Sequence, residues 1–259
     1  MSAEHRVPAI DRAVSILEAL GRFRDGLSLA GLAAECGLAR STVYRIVNSL
    51  SAANVVRRAP DTDNYILGIR LLGLAASMRK GFHRLDLALI GHDRIACLAA
   101  ETGESSKISV LDGDAALCID AVVGMGAYAL MPLVGERFPL HAGAASKILL
   151  AAMDSDARKS VLAGALARHS ERTVVDPAAL RRELRRVARD GWAEDRGEYR
   201  TAARALAGPV HDRTGRVIAA VSLVYLADKH DQAAAAYRKA MLACCASITA
   251  ELARLDVDA

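Results

Sequence analysis

Residues 38–54, LARSTVYRIVNSLSAAN, constrain this chain more than any other stretch. Advanced by about 100° per residue, as in an α-helix, they separate into two arcs. Val43, Ile46, Val47 and Leu50 fall on one arc, with Thr42 at its margin. Arg40, Ser41, Tyr44, Arg45 and Asn48 fall on the other, and no acid accompanies them. An ordinary solvated helix face mixes Glu with Lys. Cations, hydroxyls, a phenol and an amide without acids suit phosphate oxygens and base edges instead.

The flanks support that reading. Ile10, Ala13, Val14, Leu17 and Leu20 recur at helical spacing, which predicts a first helix ending near Gly21. Ser28 is placed to cap a second helix over residues 29–36, although Gly31 stands where a capping box has Glu or Gln. Gly37 is free to take positive φ behind it. Two short helices joined by a tight turn, the second carrying the polar arc, form a helix-turn-helix. Residues 55–58 and 65–67 then read as a hairpin around a turn containing Pro60 and Asp61. Three helices and a hairpin predict a winged helix-turn-helix over residues 1–68. The wing tip is acidic (Asp61, Asp63), so Arg57 and Arg58 at its base are the expected phosphate contacts.

Charge is distributed accordingly. The net charge is +4, and residues 1–83 hold 11 Lys and Arg against 7 Asp and Glu. The remaining 176 residues hold 23 of each, so the whole surplus lies where a polyanion would be steered. At 259 residues the chain suits two domains. No apolar run approaches the roughly 18 residues of a membrane span, and the N-terminus lacks a signal-like apolar core, so the expected compartment is the cytoplasm. The five cysteines (Cys36, Cys97, Cys118, Cys244, Cys245) are scattered without a C-x-x-C and read as small core residues.

The segments RAVSILEAL, LSLAGLAAECGLARSTVYRIVNSL and NYILGIRLLGL together resemble the DNA-binding domain of IclR-family transcriptional regulators. Tyr65-x-Leu67-Gly68, closing the wing ahead of a helix, is a particular mark of that family. The resemblance implies that residues 69–83, with Leu71, Leu74, Ala75, Met78 and Phe82 at helical spacing, are a linker helix that helps pair subunits.

Residues 84–259 read as a second, α+β domain. A helix over 84–102, with Ala88, Ile95, Leu98 and Ala99 inward, precedes strands over 105–111 and 115–123 around Asp112-Gly113-Asp114. Gly124-Met125-Gly126 resembles a dinucleotide-binding loop. Pro132 and Gly135 follow too soon for its helix, so a hairpin turn and a strand over 127–134 are expected. Small residues 142–146 lead into an apolar helix over 148–153, an arrangement that brings backbone N–H groups to an anion. A helix over 177–189 follows, and resemblance to the family implies strands over 205–210 and 217–225 and a long C-terminal helix over 232–255. Arg181, Arg182, Arg185, Arg186 and Arg189 give the 177–189 helix a basic face, read as solvated.

Pro139-Leu140-His141-Ala142 and Gly191-Trp192-Ala193-Glu194-Asp195 also resemble IclR-family effector-domain motifs, implying a GAF-like fold with antiparallel sheet. Ser146 stands where the family usually has Gly. Carried over by position, the resemblance implies that a small organic acid meets the amides of Ala144 and Ala145 and the side chains of Asp195, Ala205, Ser222 and Val224. Ala205 replaces a frequent Cys and Val224 a frequent Ser, and both changes remove hydrogen-bonding capacity. Because an unpaired buried polar group costs about 1–3 kcal/mol, a tiny polar acid would lose partners. The expected effector is therefore larger and partly apolar, such as an aromatic carboxylate or its amide.

The implied whole is a dimeric or tetrameric one-component regulator that binds an operator and a small molecule. It calls for no cofactor, metal or catalytic residue. Two readings compete. One is an acyl-transfer or hydrolytic enzyme using Ser146-Lys147 or His141; the S-x-x-K quartet Ser77-Met78-Arg79-Lys80 lacks the S-D-N and K-T-G of serine acyl enzymes. The other is a ligand-binding adaptor whose helix-turn-helix meets protein.

Overall fold

The computed structural model describes residues 7–23, 25–78, 83–126, 129–227 and 230–255. The chain divides into two compact units, Met1–Phe82 and His83–Ala259.

The first unit runs α1 (Pro8–Arg22), α2 (Leu29–Cys36), α3 (Arg40–Ala52), β1 (Val56–Arg58), β2 (Tyr65–Leu67) and α4 (Arg70–Met78). Its core forms where Ile16 of α1, Leu32 of α2 and Val43 and Val47 of α3 meet, all without exposure. β1 and β2 pair antiparallel, Val56 opposite Leu67 and Arg58 opposite Tyr65. Leu27 adds an antiparallel bridge to Tyr65, which the sequence pattern did not suggest. Gly26, at φ 71°, makes that approach feasible: a Cβ there would lie 2.3 Å from the Tyr65 carbonyl oxygen. The apolar residues of α1 divide between two faces. Ile16, Ala19 and Leu20 are buried, whereas Ile10 and Val14 are exposed. Phe82, and Arg79 and Lys80 of the S-x-x-K quartet, lie outside the described residues.

The second unit holds α5 (His83–Thr102), β3 (Ser105–Asp112), β4 (Ala115–Val122), β5 (Arg137–Pro139), α6 (Ala144–Ala152), α7 (Ser155–Ala163), α8 (Pro177–Asp190), β6 (Ala193–Asp195), β7 (Ala203–His211), β8 (Val217–Leu226) and α9 (His230–Leu255). The six strands form one antiparallel sheet in the order β5-β4-β3-β8-β7-β6. Alternation of side chains across the pleat gives it two apolar faces. Ile108, Val110, Leu206, Val221 and Leu223 pack under α5 and α9. Ala205, Ala207 and Ala220 pack under α6 and α8, where small side chains admit the α6 backbone closely. α+β is thus the fold class, with helices on both faces of the sheet.

Four expectations need correction. Residues 129–134 form no strand, and 124–126 make no hairpin turn. Instead Gly124 N–H donates to Ser105 Oγ at 3.0 Å and Gly126 N–H to the Gly103 carbonyl at 3.0 Å. Those bonds fold the segment back onto the α5–β3 junction, and the strand beyond β4 is β5, set by Cys118 and Glu136–Gly135 backbone bonds. The small-residue run 142–146 is not wholly ahead of the helix, because α6 already begins at Ala144. Ala88 is only half-buried, and Leu87 takes the inward position on α5.

Candidate functional site

The first candidate surface is α3 and the wing. Ser28 Oγ accepts the Gly31 N–H at 3.1 Å, and Gly37 leaves α2 at φ 62°, turning the chain into α3 within three residues. Val43 and Val47 fix α3 in the core, which leaves Arg40, Ser41, Tyr44, Arg45 and Asn48 exposed and Thr42 half-buried. Tyr44 is 52 % exposed. Ala39 caps α3 without a side-chain acceptor, so the helix presents open N–H groups beside Ser41.

The two wing arginines differ. Arg57 is exposed. Arg58 forms an ion pair with Asp63, donates to Tyr65 Oη at 3.0 Å and lies 4.8 Å from the Tyr65 ring centroid. It therefore braces the hairpin and offsets part of the acidic tip, leaving Arg57 as the freer cation.

The second candidate site is a cleft in the second unit, on the sheet face covered by α6. All six carried-over positions line it: Ala144, Ala145, Asp195, Ala205, Ser222 and Val224. It holds about 680 Å³, solvent at its mouth included. Gly143, at φ 103°, starts α6 with no side-chain cap, so the N–H groups of the first turn open toward the cleft. A Cβ on Gly143 would come to 4.0 Å from Asp195 Oδ2. Asp195 Oδ1 is occupied, accepting the Gly197 N–H at 2.8 Å and the Glu198 N–H at 2.6 Å. Burial raises the Asp195 pKa, against the pull of those N–H groups and of Lys147. Ser222 Oγ is buried and has no hydrogen-bond partner among the described residues. Leu130, Met131, Pro132, Phe138, Ala203 and Tyr199 supply apolar walls.

Sequence reasoning missed Lys107, Glu136, Phe138, Tyr199 and Arg200, which also line the cleft. Arg200 reaches Glu136 at 2.9 Å, and Phe138 meets Tyr199 edge-on with centroids 5.3 Å apart. Lys107 had a readable signal, a lone cation inside the apolar strand SSKISVLD on the same face as Ser105 and Ser109.

The residues of the competing enzymatic reading are otherwise engaged. Lys147 is fully buried, bonded to Glu183, the Glu194 carbonyl and Glu198. His141 Nε2 is 2.8 Å from the Ala167 carbonyl oxygen. Ser146 lines the cleft with no base bonded to it among the described residues. No group of three or more His, Cys, Asp or Glu among the described residues is arranged to hold a metal. No helix among them is long and apolar enough to cross a membrane.

Comparison with known proteins agrees with both halves of this arrangement. Residues 9–60 match the IclR helix-turn-helix domain, and residues 80–250 match the bacterial transcriptional regulator IclR C-terminal domain. The chain is 36 % identical to the HTH-type transcriptional regulator Rv1719 of Mycobacterium tuberculosis, over 76 % of this chain and 77 % of that protein. It is 30 % identical to the HTH-type transcriptional regulator KdgR of Escherichia coli, over 85 % and 82 %. Among solved structures, an IclR homolog from Microbacterium hydrocarbonoxydans, complexed with 4-hydroxybenzoate, superposes with a TM-score of 0.79 at 26 % identity, covering 94 % of this chain and 98 % of that one. These relatives and domains are regulators and not enzymes. The chain belongs to the IclR family: it is a DNA-binding transcriptional regulator with an N-terminal helix-turn-helix domain and a C-terminal effector domain.

Proposed function

We propose that this regulator senses an aromatic carboxylate or its amide in the cleft of the second unit and alters operator binding in response. The observation that carries the reading is the cleft's composition. Open N–H groups of α6, Asp195 and the unpartnered Ser222 hydroxyl gather at walls made of Phe138, Tyr199, Ala205 and Val224. The α6 amides meet the polar head, and Asp195 and Ser222 bond a hydroxyl or amide. Ala205 makes room for a ring, and neither it nor Val224 offers a tiny keto acid a hydrogen-bonding side chain. The 4-hydroxybenzoate bound by the Microbacterium hydrocarbonoxydans homolog lends support by analogy.

Residues 1–68 read the operator, residues 69–83 link, and residues 84–259 sense. Arg40, Ser41, Thr42, Tyr44, Arg45 and Asn48 meet bases or phosphates, with Arg57, and to a lesser degree Arg58, on the backbone. The protein acts in the cytoplasm as a dimer or tetramer, and its exposed Ile10, Val14, Leu72 and Leu74 supply apolar surface for pairing. A dimer spans two half-sites about 34 Å apart, or a multiple of that. The effector works by binding two arrangements of the subunits with unequal affinity, since equal affinity shifts nothing.

Isothermal titration of the full-length protein with hydroxybenzoates, their amides, glyoxylate and pyruvate tests the effector reading. Aromatic binding in the micromolar range supports it. Tight binding of glyoxylate or pyruvate with no aromatic binding overturns it. A mobility-shift assay on the intergenic region beside its gene tests the operator reading, with a specific, salt-dependent shift expected.

A further inference from the structure

β3 carries Lys107 opposite Ser222 of β8, and both side chains line the cleft. Lys107 is 8 % exposed, yet its ammonium makes no hydrogen bond or ion pair among the described residues. It rests instead on the Phe138 ring, with Nζ 3.5 Å from the centroid. An aromatic face is a partial substitute for water around a cation and carries no countercharge.

The surrounding groups do not supply that charge in contact. Glu136 is taken by Arg200 at 2.9 Å. Asp195 gives Oδ1 to two backbone N–H groups and forms no ion pair with Lys107. The Cys118 thiol, pushed up to about 11 by burial, is neutral near pH 7. Burial lowers the Lys107 pKa, against the pull of Glu136 and Asp195 and with the help of Arg200. A buried cation without a contact anion is unfavourable, and an entering anion relieves it.

We infer that Lys107 is the anion-pairing residue of the cleft, selecting an effector that bears a carboxylate over the neutral amide of the same shape. This rests on the proposed binding of an aromatic acid or amide in the same cleft, and it decides between the two. The other polar groups contribute little to that choice: the α6 N-terminus favours an anion by only about 0.3–1 kcal/mol, and Ser222 donates or accepts as required. Asp195, an acceptor, even favours an amide N–H. With Arg200 neutralised by Glu136, Lys107 is, among the described residues, the cleft-lining cation left for a carboxylate.

The test compares 4-hydroxybenzoate with 4-hydroxybenzamide by isothermal titration of the full-length protein. The wild type should bind the acid about thirtyfold or more tightly than the amide, the usual consequence of a desolvated charge pair. Lys107→Met keeps most of the side chain's length and removes the charge. It should leave the amide's affinity intact and bring the acid within about threefold of it. Lys107→Arg should retain the preference for the acid, and it keeps the test decisive if the Met variant does not fold. A Met variant that still prefers the acid, an Arg variant that does not, or a wild type that binds both probes equally overturns the role of Lys107 while leaving the aromatic reading standing. A wild type that binds neither probe overturns both.

Discussion

Lys147 Nζ lies 2.8 Å from Glu183 Oε1, although the lysine side chain has no exposure at all. Glu198 and the Glu194 carbonyl complete its shell. One cation thereby fastens α6 to α8 and to the end of β6, directly beneath the cleft. Breaking a buried pair by removing one partner strands the other charge. Lys147→Met should therefore cost about 3–5 kcal/mol of stability, read by urea denaturation. A loss below about 1 kcal/mol would show that the two carboxylates do not depend on it.

Glu198 gives this network a pH dependence. Burial, outweighing Lys147, pushes its pKa up to about 7 from the usual 4.5. A group whose folded pKa is raised contributes stability that is present below its unfolded pKa and lost as pH rises through the folded one. The protein should lose stability between about pH 4.5 and 7, and Glu198→Gln should flatten that slope. Thermal unfolding of both proteins at pH 5 and 7.5 measures the difference; an unchanged slope in the variant would refute the assignment.

Gly143 holds the first turn of α6 against the cleft at φ 103°, where an L side chain is strained. Gly143→Ala should destabilise the protein by about 1–3 kcal/mol and weaken effector binding, because the α6 N–H groups turn away. A titration and a melt on the same preparation would separate the two effects.

Arg45 and Asp63 should move operator affinity in opposite directions. Arg45 is exposed on the polar arc of α3, so Arg45→Ala should weaken operator binding by about 1–3 kcal/mol if it reads a base. Asp63→Ala removes an acid from the wing and frees Arg58 for phosphate, strengthening binding and steepening its salt dependence. Mobility shifts at two salt concentrations, on specific and random duplexes, test both.

Val224→Ser, combined with Ala205→Cys, restores hydrogen-bonding side chains to the cleft wall. Affinity for an aromatic acid should fall by about tenfold, since an unpaired buried hydroxyl costs about 1–3 kcal/mol. Glyoxylate should gain in the same titration.

Periodicity in the sequence determined the local elements: the two faces of α3, the capped turn of Ser28 and Gly37, the wing hairpin and the long strands of the second unit. Each depends on residues within one or two turns of one another, so neighbours along the chain suffice. The six positions at the cleft came from family resemblance, which places motifs but not the residues particular to this chain. Tertiary structure alone decided that Lys107 of β3 and Phe138 of β5 join Asp195 of β6 and Ser222 of β8 in one cavity. The strand order β5-β4-β3-β8-β7-β6 brings β3 against β8, more than 100 residues later, and no local pattern encodes that pairing. It also decided that residues 129–134, expected within a strand over 127–134, form none. Gly103 and Ser105 accept the Gly126 and Gly124 N–H groups, and backbone donors spent on one partner are unavailable to a ladder.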